Sequence, residues 1–575
     1  MRLKVCPLLF VIALVAAAAA KNPKLAPDLP SIGNTVDVIV QFNAPPTKAD
    51  HTNVAKHGGK GVADLPLVNG MRVSLPVSQV SLLAANQSVK FISPDRTVNG
   101  HLTNTAPAIN APYAWSLGLD GTGIGVAVID SGIVTRQYSS VKNTDFTKFQ
   151  TGSSRVVYAQ SWINDGQGDM DGFGHGTHVA GIIGGNGRNS TGPADFQTLK
   201  GIAPNVQLIN LRVLDSNGMG SDSAVVAAIQ TAIQLKKKYN IRVINLSLGR
   251  PVFETYTLDP LCNAVEAAYR AGIVVVVAAG NDGRDNSAGT NGYGTITSPG
   301  NDPYVITVGA MKAMGTPARA DDLIATYSSK GPTAIDHIAK PDLVAPGNQV
   351  SSFLANPKAT LPLTYPQNAL PTSFYMTGGT SAASPYFTLS GTSMAAPAVS
   401  GAVALLLQAQ PNLSPDQVKA RLMKTAYKTF PLYSSYTDPV TGITYTDQYD
   451  VFTVGAGYLD IQAALTSTDL SSGVATSPTV QYDPTTQDVY FVKNSFAVWG
   501  GSSDWSSSAV WGTNAFLGSQ FAVWGGSNPW ASFAVWGGSA PWGSNSDGGF
   551  FAVWGGSSIV TDSTPSSETL VNGDK

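Results

Sequence analysis

Residues 389–410 constrain the fold more than any other segment, because they read LSGTSMAAPAVSGAVALLLQAQ. Ala, Val and Leu would cover every side of a helix here, and such a helix must be buried inside a large domain. Pro397 is expected in its first turn, where a missing N–H costs nothing. Ser393 then lies at the start of a buried helix, where free backbone N–H groups and the helix dipole favour negative charge.

The position of Ser393 allows two interpretations. A hydroxyl at this point can act as a nucleophile, provided that a base and an oxyanion site lie nearby. The alternative is a capping Ser, since Ser is common at helix starts. Other segments of the chain must decide between them.

Length and charge limit the classes of protein. The 575 residues allow several domains and one large core. Charged residues make up 13% and the net charge is −2, so no basic surplus points to nucleic acid. Of the two cysteines, Cys6 lies in the N-terminal leader, so the mature chain would keep Cys262 as its one thiol and form no internal disulfide.

The first 20 residues have the pattern of a signal peptide. Arg2 and Lys4 precede an apolar core, and an alanine run supplies a small-residue cleavage site. An uncleaved anchor is the alternative, but the apolar run is short for a membrane-spanning helix. We therefore expect a secreted or cell-surface-associated protein.

Two regions with different patterns follow the leader. Residues 37–98 predict a small α+β unit, with strands near 36–42, 71–76 and 89–95 and a helix near 77–86. Beyond residue 105, continuous apolar strands alternate with helices. The strands are predicted at 123–130, 209–214, 243–249, 272–280 and 304–310, and the helices at 225–238 and 260–272. This pattern predicts an α/β fold whose parallel sheet is covered by helices on both faces, with functional groups at the carboxyl ends of the strands.

Polar residues occur where such groups are expected. Asp130 ends the first apolar strand, and burying it needs a partner; a turn or cap Asp is the alternative. His175 and His178 open a helix in DGFGHGTHVAGIIG, and a His can serve as a general base near neutral pH. A metal-binding His pair is the alternative, although zinc-protease helices use another spacing. Asn281 follows VVVVAAG and can donate to an oxyanion, or it is a turn Asn.

The motifs that hold these residues resemble those of the subtilase family of subtilisin-like serine endopeptidases. VAVIDSGI, GHGTHVAG, VINLSLG, VVVVAAGN, KPDLVAPG and SGTSMAAP all match, and the order Asp, His, Ser is the order found in subtilisin. The resemblance covers roughly residues 37–465. It implies a subtilisin-like peptidase domain at 105–468 and an inhibitory pro-domain at 37–98.

The resemblance also implies a role for each residue. Ser393 would be the nucleophile, His175 the base, and Asp130 the residue that orients the imidazole, while Asn281 and the N–H of Ser393 would hold the oxyanion. Two backbone segments would pair with an extended substrate, and a third would wall an apolar specificity pocket: Gly218, Met219, Gly220; Ser247, Leu248, Gly249; and Ala278, Ala279, Gly280.

Two features depart from the family pattern. The span 347–391 is long and holds a second copy of the Ser motif, GGTSAASP, which makes Ser381 an alternative nucleophile. Pro385 and Gly391 leave no room after it for the long helix. The loop 185–201 lacks the asparagine pattern of the family's strong calcium site. We expect no cofactor in the chemistry, and a structural calcium stays open with its ligands unknown.

Residues after 468 have another composition. We expect a linker at 469–495, a repeat region at 496–557 and a polar tail at 558–575. FAVWGGS occurs at 496, 521, 533 and 551, and eight of the ten tryptophans lie in this part of the chain. Their regular spacing favours an ordered β module that binds a cell surface or polymer; a flexible or removable tail is the alternative.

The sequence therefore predicts a secreted serine endopeptidase for protein or peptide substrates, made as a self-processed zymogen. Cleavage is expected between about residues 98 and 106, with 95–98 lying in the cleft and the pro-domain acting as an inhibitor. One alternative is a surface-attachment protein whose protease-like domain is inert. Another is the acid-acting serine-carboxyl peptidase family, which shares the Ser motif but lacks the GHGTH histidine.

Overall fold

The computed structural model describes residues 22–26, 29, 34–94, 101–135, 144–287, 289–354, 356–379, 384–439, 441–483, 488–491, 498–499, 520–521, 558–560 and 567–574. The chain forms two units, residues 1–98 and 99–575, which are described separately. Several sequence-based predictions lie outside the described residues. These are the signal peptide at 1–20, the segment 95–98, the alternative nucleophile Ser381 and most of the repeat region.

The N-terminal unit is an antiparallel sheet with two helices, which confirms the predicted α+β class. Its sheet has the order β2-β3-β1-β4. Alternate β1 residues Val38, Val40 and Phe42 are buried, and they pack with Val54 and Leu83 of the helices. The elements are β1 Thr35–Phe42, α1 Lys48–Lys56, β2 Lys60–Leu65, β3 Gly70–Pro76, α2 Val77–Ala84 and β4 Val89–Pro94. The sequence patterns missed α1 and β2.

The second unit is built around a mostly parallel sheet. Its strands are β5 Gly125–Asp130, β6 Val156–Ser161, β7 Gln207–Arg212, β8 Met219–Ser221, β9 Ile241–Leu246, β10 Val274–Ala278, β11 Ile306–Lys312, β12 Leu323–Ile324, β13 Leu343–Pro346, β14 Val350–Phe353, β15 Tyr386–Leu389, β16 Tyr433–Thr437, β17 Thr444–Gln448, β18 Ser471–Ser472, β19 Val480–Asp483, β20 Asp488–Phe491, β21 Val498–Trp499, β22 Gln520–Phe521 and β23 Ser558–Val560. Its helices are α3 His101–Ala108, α4 Ala111–Ser116, α5 His175–Gly184, α6 Asp222–Tyr239, α7 Pro260–Arg270, α8 Thr360–Thr364, α9 Thr392–Ala409, α10 Pro415–Thr425, α11 Ile461–Thr466 and α12 Ser567–Asn572.

The main sheet confirms the predicted α/β class. Its strands run β6-β7-β5-β9-β10-β11, all parallel, and β11 pairs further with parallel β13 and antiparallel β12. Both faces are covered. Val126 and Val128 of β5 face the core that contains α5 and α9, while Ala127 and Ile129 face the core that contains α6 and α7. Burial on both faces explains why these strands are continuously apolar.

Helix α9 lies in the larger of these cores. Within the described part of the chain it is long and apolar enough to cross a membrane, yet 89% of its most apolar window is buried inside the protein. The helix begins at Thr392, so Pro397 lies inside it and not in the first turn. The predicted position of Pro397 was therefore wrong, and its missing N–H leaves the carbonyl of Ser393 without its helical donor.

The second unit extends beyond residue 468 into the segment expected to be a linker. Ala475, Ser477 and Val480 are buried. Lys419 Nζ donates to Ser477 Oγ at 2.7 Å, and the N–H of Ala339 donates to the carbonyl of Pro478 at 2.8 Å. Residues 475–480 therefore belong to the packed unit. Within the repeat region the described pairs of residues are strands: β21 pairs with β18, and β22 pairs with β20.

Candidate active site

Three of the predicted site residues lie at one edge of the main sheet. Asp130 ends β5, Ser247 follows the end of β9, and Asn281 lies just beyond β10. Because these neighbouring strands are parallel, their carboxyl ends meet at the same edge. Helix α9, which carries Ser393, packs in the core against the same strands.

Asp130 and His175 form a buried pair. The imidazole Nδ1 lies 2.8 Å from Asp130 Oδ1 and 3.0 Å from Oδ2, and both side chains are at most 1% exposed. Asp130 Oδ1 also accepts the N–H of Ser131 at 2.7 Å. A carboxylate that accepts from Nδ1 fixes the imidazole with Nδ1 protonated, which leaves Nε2 able to take a proton.

A second carboxylate positions the helix that carries His175. Asp171 Oδ1 accepts from the hydroxyl of Ser131 at 2.8 Å and from the N–H of Gly174 at 2.6 Å, and Oδ2 accepts from the N–H of Thr177 at 2.8 Å. Burial raises the pKa of Asp171, and these donors act against that shift. Asp171 therefore ties the first turn of α5 to the loop after Asp130.

Gly176 allows a close approach at the same point. A Cβ at this position would lie 2.3 Å from the carbonyl oxygen of Gly132 and 3.1 Å from the Cβ of Asp130. The N–H of Gly176 donates to Ser131 Oγ at 2.9 Å. Only glycine fits at this contact, so the short distance between α5 and the end of β5 depends on it.

His178, the other histidine of the motif, is bonded to two backbone carbonyls. Its Nε2 lies 3.0 Å from the carbonyl oxygens of both Val350 and Phe387, and it is fully buried. Burial, with the nearby His175 as a smaller cause, lowers the pKa of His178 to about 3, so it is neutral. Among the described residues no group of three or more His, Cys, Asp or Glu side chains can hold a metal ion. The structural calcium therefore stays a prediction without ligands.

The backbone of Ser393 is held by a strand that is distant in sequence. Because Pro397 has no N–H, the carbonyl four residues earlier, that of Ser393, lacks its helical donor. The hydroxyl of Ser247 donates to this carbonyl at 2.9 Å, and Ser393 Oγ donates to the carbonyl of Ser247 at 3.2 Å. The buried proline thus creates an acceptor that fixes the start of α9 to the end of β9.

This link continues into the core. Asn245 Nδ2 donates to Ser247 Oγ at 2.9 Å, and Ser400 Oγ donates to Asn245 Oδ1 at 2.8 Å. All three side chains are fully buried. A buried network with every member bonded fixes its geometry, so it holds Ser393 in one position.

Asn281 is oriented by the residue before Ser393. Its Oδ1 accepts from the N–H of Thr392 at 2.9 Å and from the hydroxyl of Thr392 at 3.2 Å. A backbone N–H can only donate, so the amide oxygen of Asn281 must face it. Its buried Nδ2 has no acceptor among the described residues, although such atoms are nearly always bonded. That donor is available to a ligand oxygen.

The predicted substrate segments lie in two places. Gly249 and Gly280 both pack against Thr297, where added Cβ atoms would lie 2.6 Å from its Oγ1 and 2.8 Å from its Cγ2. The segments 247–249 and 278–280 therefore approach each other. Met219 and Gly220 form β8, which pairs with β23, and Gly218 precedes it.

The residues of the site that the sequence patterns missed include Asp171, Asn245, Thr392 and Ser400. Asp171 had a readable signal, since an Asp shortly before a helix start is a good cap. Asn245 is a polar residue inside an apolar strand, which signals a buried partner. Nothing local marks Thr392 and Ser400.

The chain is similar in sequence to known serine proteases over the region that forms this site. The subtilase family profile matches residues 121–457. The chain is 34% identical over 354 residues to the serine protease AprX of Bacillus subtilis, which is 60% of this chain and 71% of that protein. It is 34% identical over 358 residues to subtilisin DY of Bacillus licheniformis, covering 62% of this chain and 96% of the relative. An extracellular serine proteinase of a Thermus species is 33% identical over 372 residues, covering 62% of this chain and 70% of the relative. The matched region contains every site residue described above.

Proposed function

Because the chain belongs to the subtilase family and is a subtilisin-like serine endopeptidase, we propose that Ser393 is its nucleophile, His175 its general base and Asp130 the residue that orients the base. The observation that carries this assignment is the buried pair in which His175 Nδ1 lies 2.8 Å from Asp130 Oδ1. A buried carboxylate next to an imidazole serves to fix its tautomer and to stabilise its cation.

The reaction follows from these roles. Ser393 Oγ attacks the carbonyl carbon of the scissile peptide bond, and its proton passes to His175 Nε2. Asp130 stabilises the imidazolium, which then protonates the leaving amine as the C–N bond breaks. Water, deprotonated by the same imidazole, hydrolyses the acyl-enzyme and regenerates Ser393. The chain's own residues carry every step, so the proposed chemistry uses no cofactor.

Asn281 and the N–H of Ser393 are the proposed oxyanion donors. The support is the bonding of Asn281, whose oxygen is engaged by Thr392 and whose buried Nδ2 is available. A donor that is already fixed needs no reorganisation when negative charge develops. In subtilisin itself, loss of such an amide costs about 10²–10³ in kcat, and the same range is expected for Asn281→Ala.

Substrates are proposed to be proteins or peptides bound in extended form. Backbone groups of 218–220 and 247–249 would pair with the substrate on either side, and 278–280 would wall the pocket for an apolar side chain. Support comes from the approach of Gly249 and Gly280 at Thr297 and from the strand conformation of Met219–Ser221.

We further propose that the enzyme is secreted as a zymogen and processes itself. The signal-like pattern of residues 1–20 and the separate α+β unit before residue 98 support this. The Thermus relative is named an extracellular proteinase. Attachment to a cell surface or polymer is proposed for the repeat region, because its aromatic, charge-poor sequence is unsuited to a solvated linker.

Two matched serine variants test the assignment. Ser393→Ala is expected to lose peptide hydrolysis and pro-segment removal while keeping the circular dichroism and melting temperature of a folded chain. Ser381→Ala, in the second copy of the motif, is expected to keep both activities. Full activity of Ser393→Ala would refute the assignment. A folded wild-type chain without any hydrolysis would favour an inert surface-attachment protein.

A further inference from the structure

The C-terminal end of the chain packs onto the second unit, although the sequence describes it only as a polar tail. Leu570, Val571 and Asp574 are buried, and Leu570 belongs to the main hydrophobic core. The N–H of Ser390 donates to the carbonyl of Leu570 at 2.7 Å, three residues before Ser393. Asn368 Nδ2 donates to the carbonyl of Val571 at 2.7 Å. We name residues 567–574 the C-terminal anchor.

Asp574 is the most strongly bound residue of the C-terminal anchor. Its carboxylate forms an ion pair with Arg284 at 2.6 Å and accepts from the N–H and the hydroxyl of Thr326, each at 2.9 Å. Its own N–H and carbonyl form two bonds with the side chain of Asn348, at 2.8 and 2.9 Å. Asp574 is 1% exposed. A buried residue whose charge and backbone are all bonded is typical of a specific peptide-binding site and not of a loose tail.

Gly573 shows how closely the anchor fits this site. A Cβ there would lie 2.3 Å from both Asn348 Oδ1 and Ser390 Oγ, and the backbone has φ +56°. Gly573 is therefore needed both for the left-handed backbone and for the contact.

The same end of the chain adds a strand to the proposed substrate segment 218–220. β23 pairs antiparallel with β8, with Ser558 opposite Ser221, Ile559 opposite Gly220 and Val560 opposite Met219. The other side of β8 is already engaged, since Leu214 bridges Gly220 and the N–H of Asp215 donates to the carbonyl of Met219 at 2.8 Å. Only one edge of β8 therefore remains to pair with a further strand, and β23 pairs with that edge.

We propose that residues 567–574 are the ligand of a dedicated peptide-binding site, and that this anchoring holds Ser558–Val560 on the edge of β8 as a competitor of extended peptide substrates. The proposal rests on the proposed function, in which substrates pair with 218–220. An acidic peptide with a buried Asp next to glycine is the ligand that Arg284, Thr326 and Asn348 recognise. Substrate and β23 cannot both pair with one strand edge, so the binding is mutually exclusive.

The competition is expected to raise the apparent KM strongly, because the competing segment belongs to the same chain. A tethered segment acts at an effective concentration on the order of millimolar, so a segment with a Kd of about 0.1 mM would raise the apparent KM about tenfold. Only substrates long enough to pair with β8 would be affected. A single-residue ester, which does not reach β8, would keep its KM.

Two independent changes test the competition in the full chain. In an antiparallel pair alternate residues donate across the ladder, so Ile559→Pro with Val560→Pro removes the donor whichever residue supplies it. The matched control is Ile559→Val with Val560→Ile, which keeps both N–H groups. Asp574→Asn keeps the shape of the anchor but removes the charge that pairs with Arg284. We expect the proline and Asp574→Asn variants to show about a tenfold lower KM for a tetrapeptide anilide, with unchanged kcat and unchanged ester hydrolysis, and the control to match wild type.

A measurement independent of activity uses hydrogen exchange in the Ser393→Ala chain, which cannot process itself. The amide of Gly220, opposite Ile559, is expected to exchange slowly with the tail intact and faster in the proline variant. The amide of Met219 is the internal reference, since it donates to Asp215 Oδ1 at 2.9 Å and should be protected in both chains. Fast exchange in the intact chain would overturn the proposal even if the proline variant fails to fold. Mass spectrometry shows whether the tail is cleaved during maturation. If it is cleaved, the KM for the tetrapeptide must fall at that step.

These outcomes separate the two proposals. Unchanged tetrapeptide KM in both variants, together with normal ester hydrolysis, would refute the competition but leave the proposed catalysis intact. Absence of hydrolysis of either substrate in every folded chain would instead refute the proposed function.

Discussion

Replacement of Gly176 by Ala tests how the close contact between α5 and the end of β5 sets the geometry of His175. The new Cβ would lie 2.3 Å from the carbonyl oxygen of Gly132. A relaxed carbon–oxygen contact needs about 3.3 Å. The start of α5 must therefore move by about 1 Å, since the obstacle is backbone and cannot rotate away.

A shift of this size is sufficient to break the Asp130–His175 pair. Its contacts of 2.8 and 3.0 Å would stretch beyond the range of a good hydrogen bond. A misplacement of about 1 Å in a catalytic group can cost about 100-fold in rate. We therefore expect kcat/KM to fall about 100-fold, or about 2.7 kcal/mol of transition-state stabilisation. The crowding itself is expected to cost about 1–3 kcal/mol of stability.

The matched control is Gly184→Ala at the other end of the same helix. Its Cβ would meet the side chain of Val206 at 2.6 Å and would lie away from the Asp130–His175 pair. Steady-state kinetics on a peptide anilide, with the melting temperature of each variant, separates stability from catalysis. Wild-type kcat/KM in a folded Gly176→Ala enzyme would show that this contact does not position His175, as would an equal loss of kcat/KM in Gly184→Ala.

Three further predictions concern other parts of the chain. His178 is neutral in the folded chain, where its pKa is about 3, but its pKa is near 6.5 in the unfolded chain, so its contribution to the free energy of unfolding falls as the pH drops below 6.5. Urea unfolding in the Ser393→Ala background should show that the free energy of unfolding falls between pH 8 and pH 5 by about 2 kcal/mol less in His178→Gln than in the chain that keeps His178. Equal decreases in the two chains would contradict this. Cys262 is fully buried and burial raises the pKa of its thiol, so iodoacetamide should label it only after unfolding; labelling of the native enzyme would contradict this. A chain ending at residue 483 keeps the packed segment 475–480 but loses the buried residues Leu570, Val571 and Asp574, so its melting temperature should fall. The folded part of that preparation should still hydrolyse a single-residue ester but no longer sediment with cell envelope; continued sedimentation would show that the repeats do not attach the enzyme.

The sequence predicted the elements whose signals are local. β5 and β10 are apolar runs that end at a polar residue or a glycine, and burial on both sheet faces produces such runs. Their polar neighbours Asp130 and Asn281 were found for the same reason. α9 was predicted because its apolar residues extend over 18 positions without a charge.

The features that were not predicted depend on contacts between distant parts of the chain. The place of Pro397 inside α9 is tolerated because Ser247, 146 residues before Ser393, donates to the released carbonyl. The C-terminal anchor has a short polar sequence, and its burial depends on Asn348 and Ser390 in another part of the fold. Residues 475–480 were interpreted as linker for the same reason, because Lys419 and Ala339 supply their partners.

The residue that a serine-directed fluorophosphonate modifies tests most directly whether Ser393 is the nucleophile. The probe reacts with a serine only where a base and an oxyanion site activate it. After labelling of the folded enzyme and peptide mapping by mass spectrometry, we expect one modified residue, Ser393, and no label in Ser393→Ala. A label on Ser381, or a folded and self-processed enzyme that takes up no label, would contradict it.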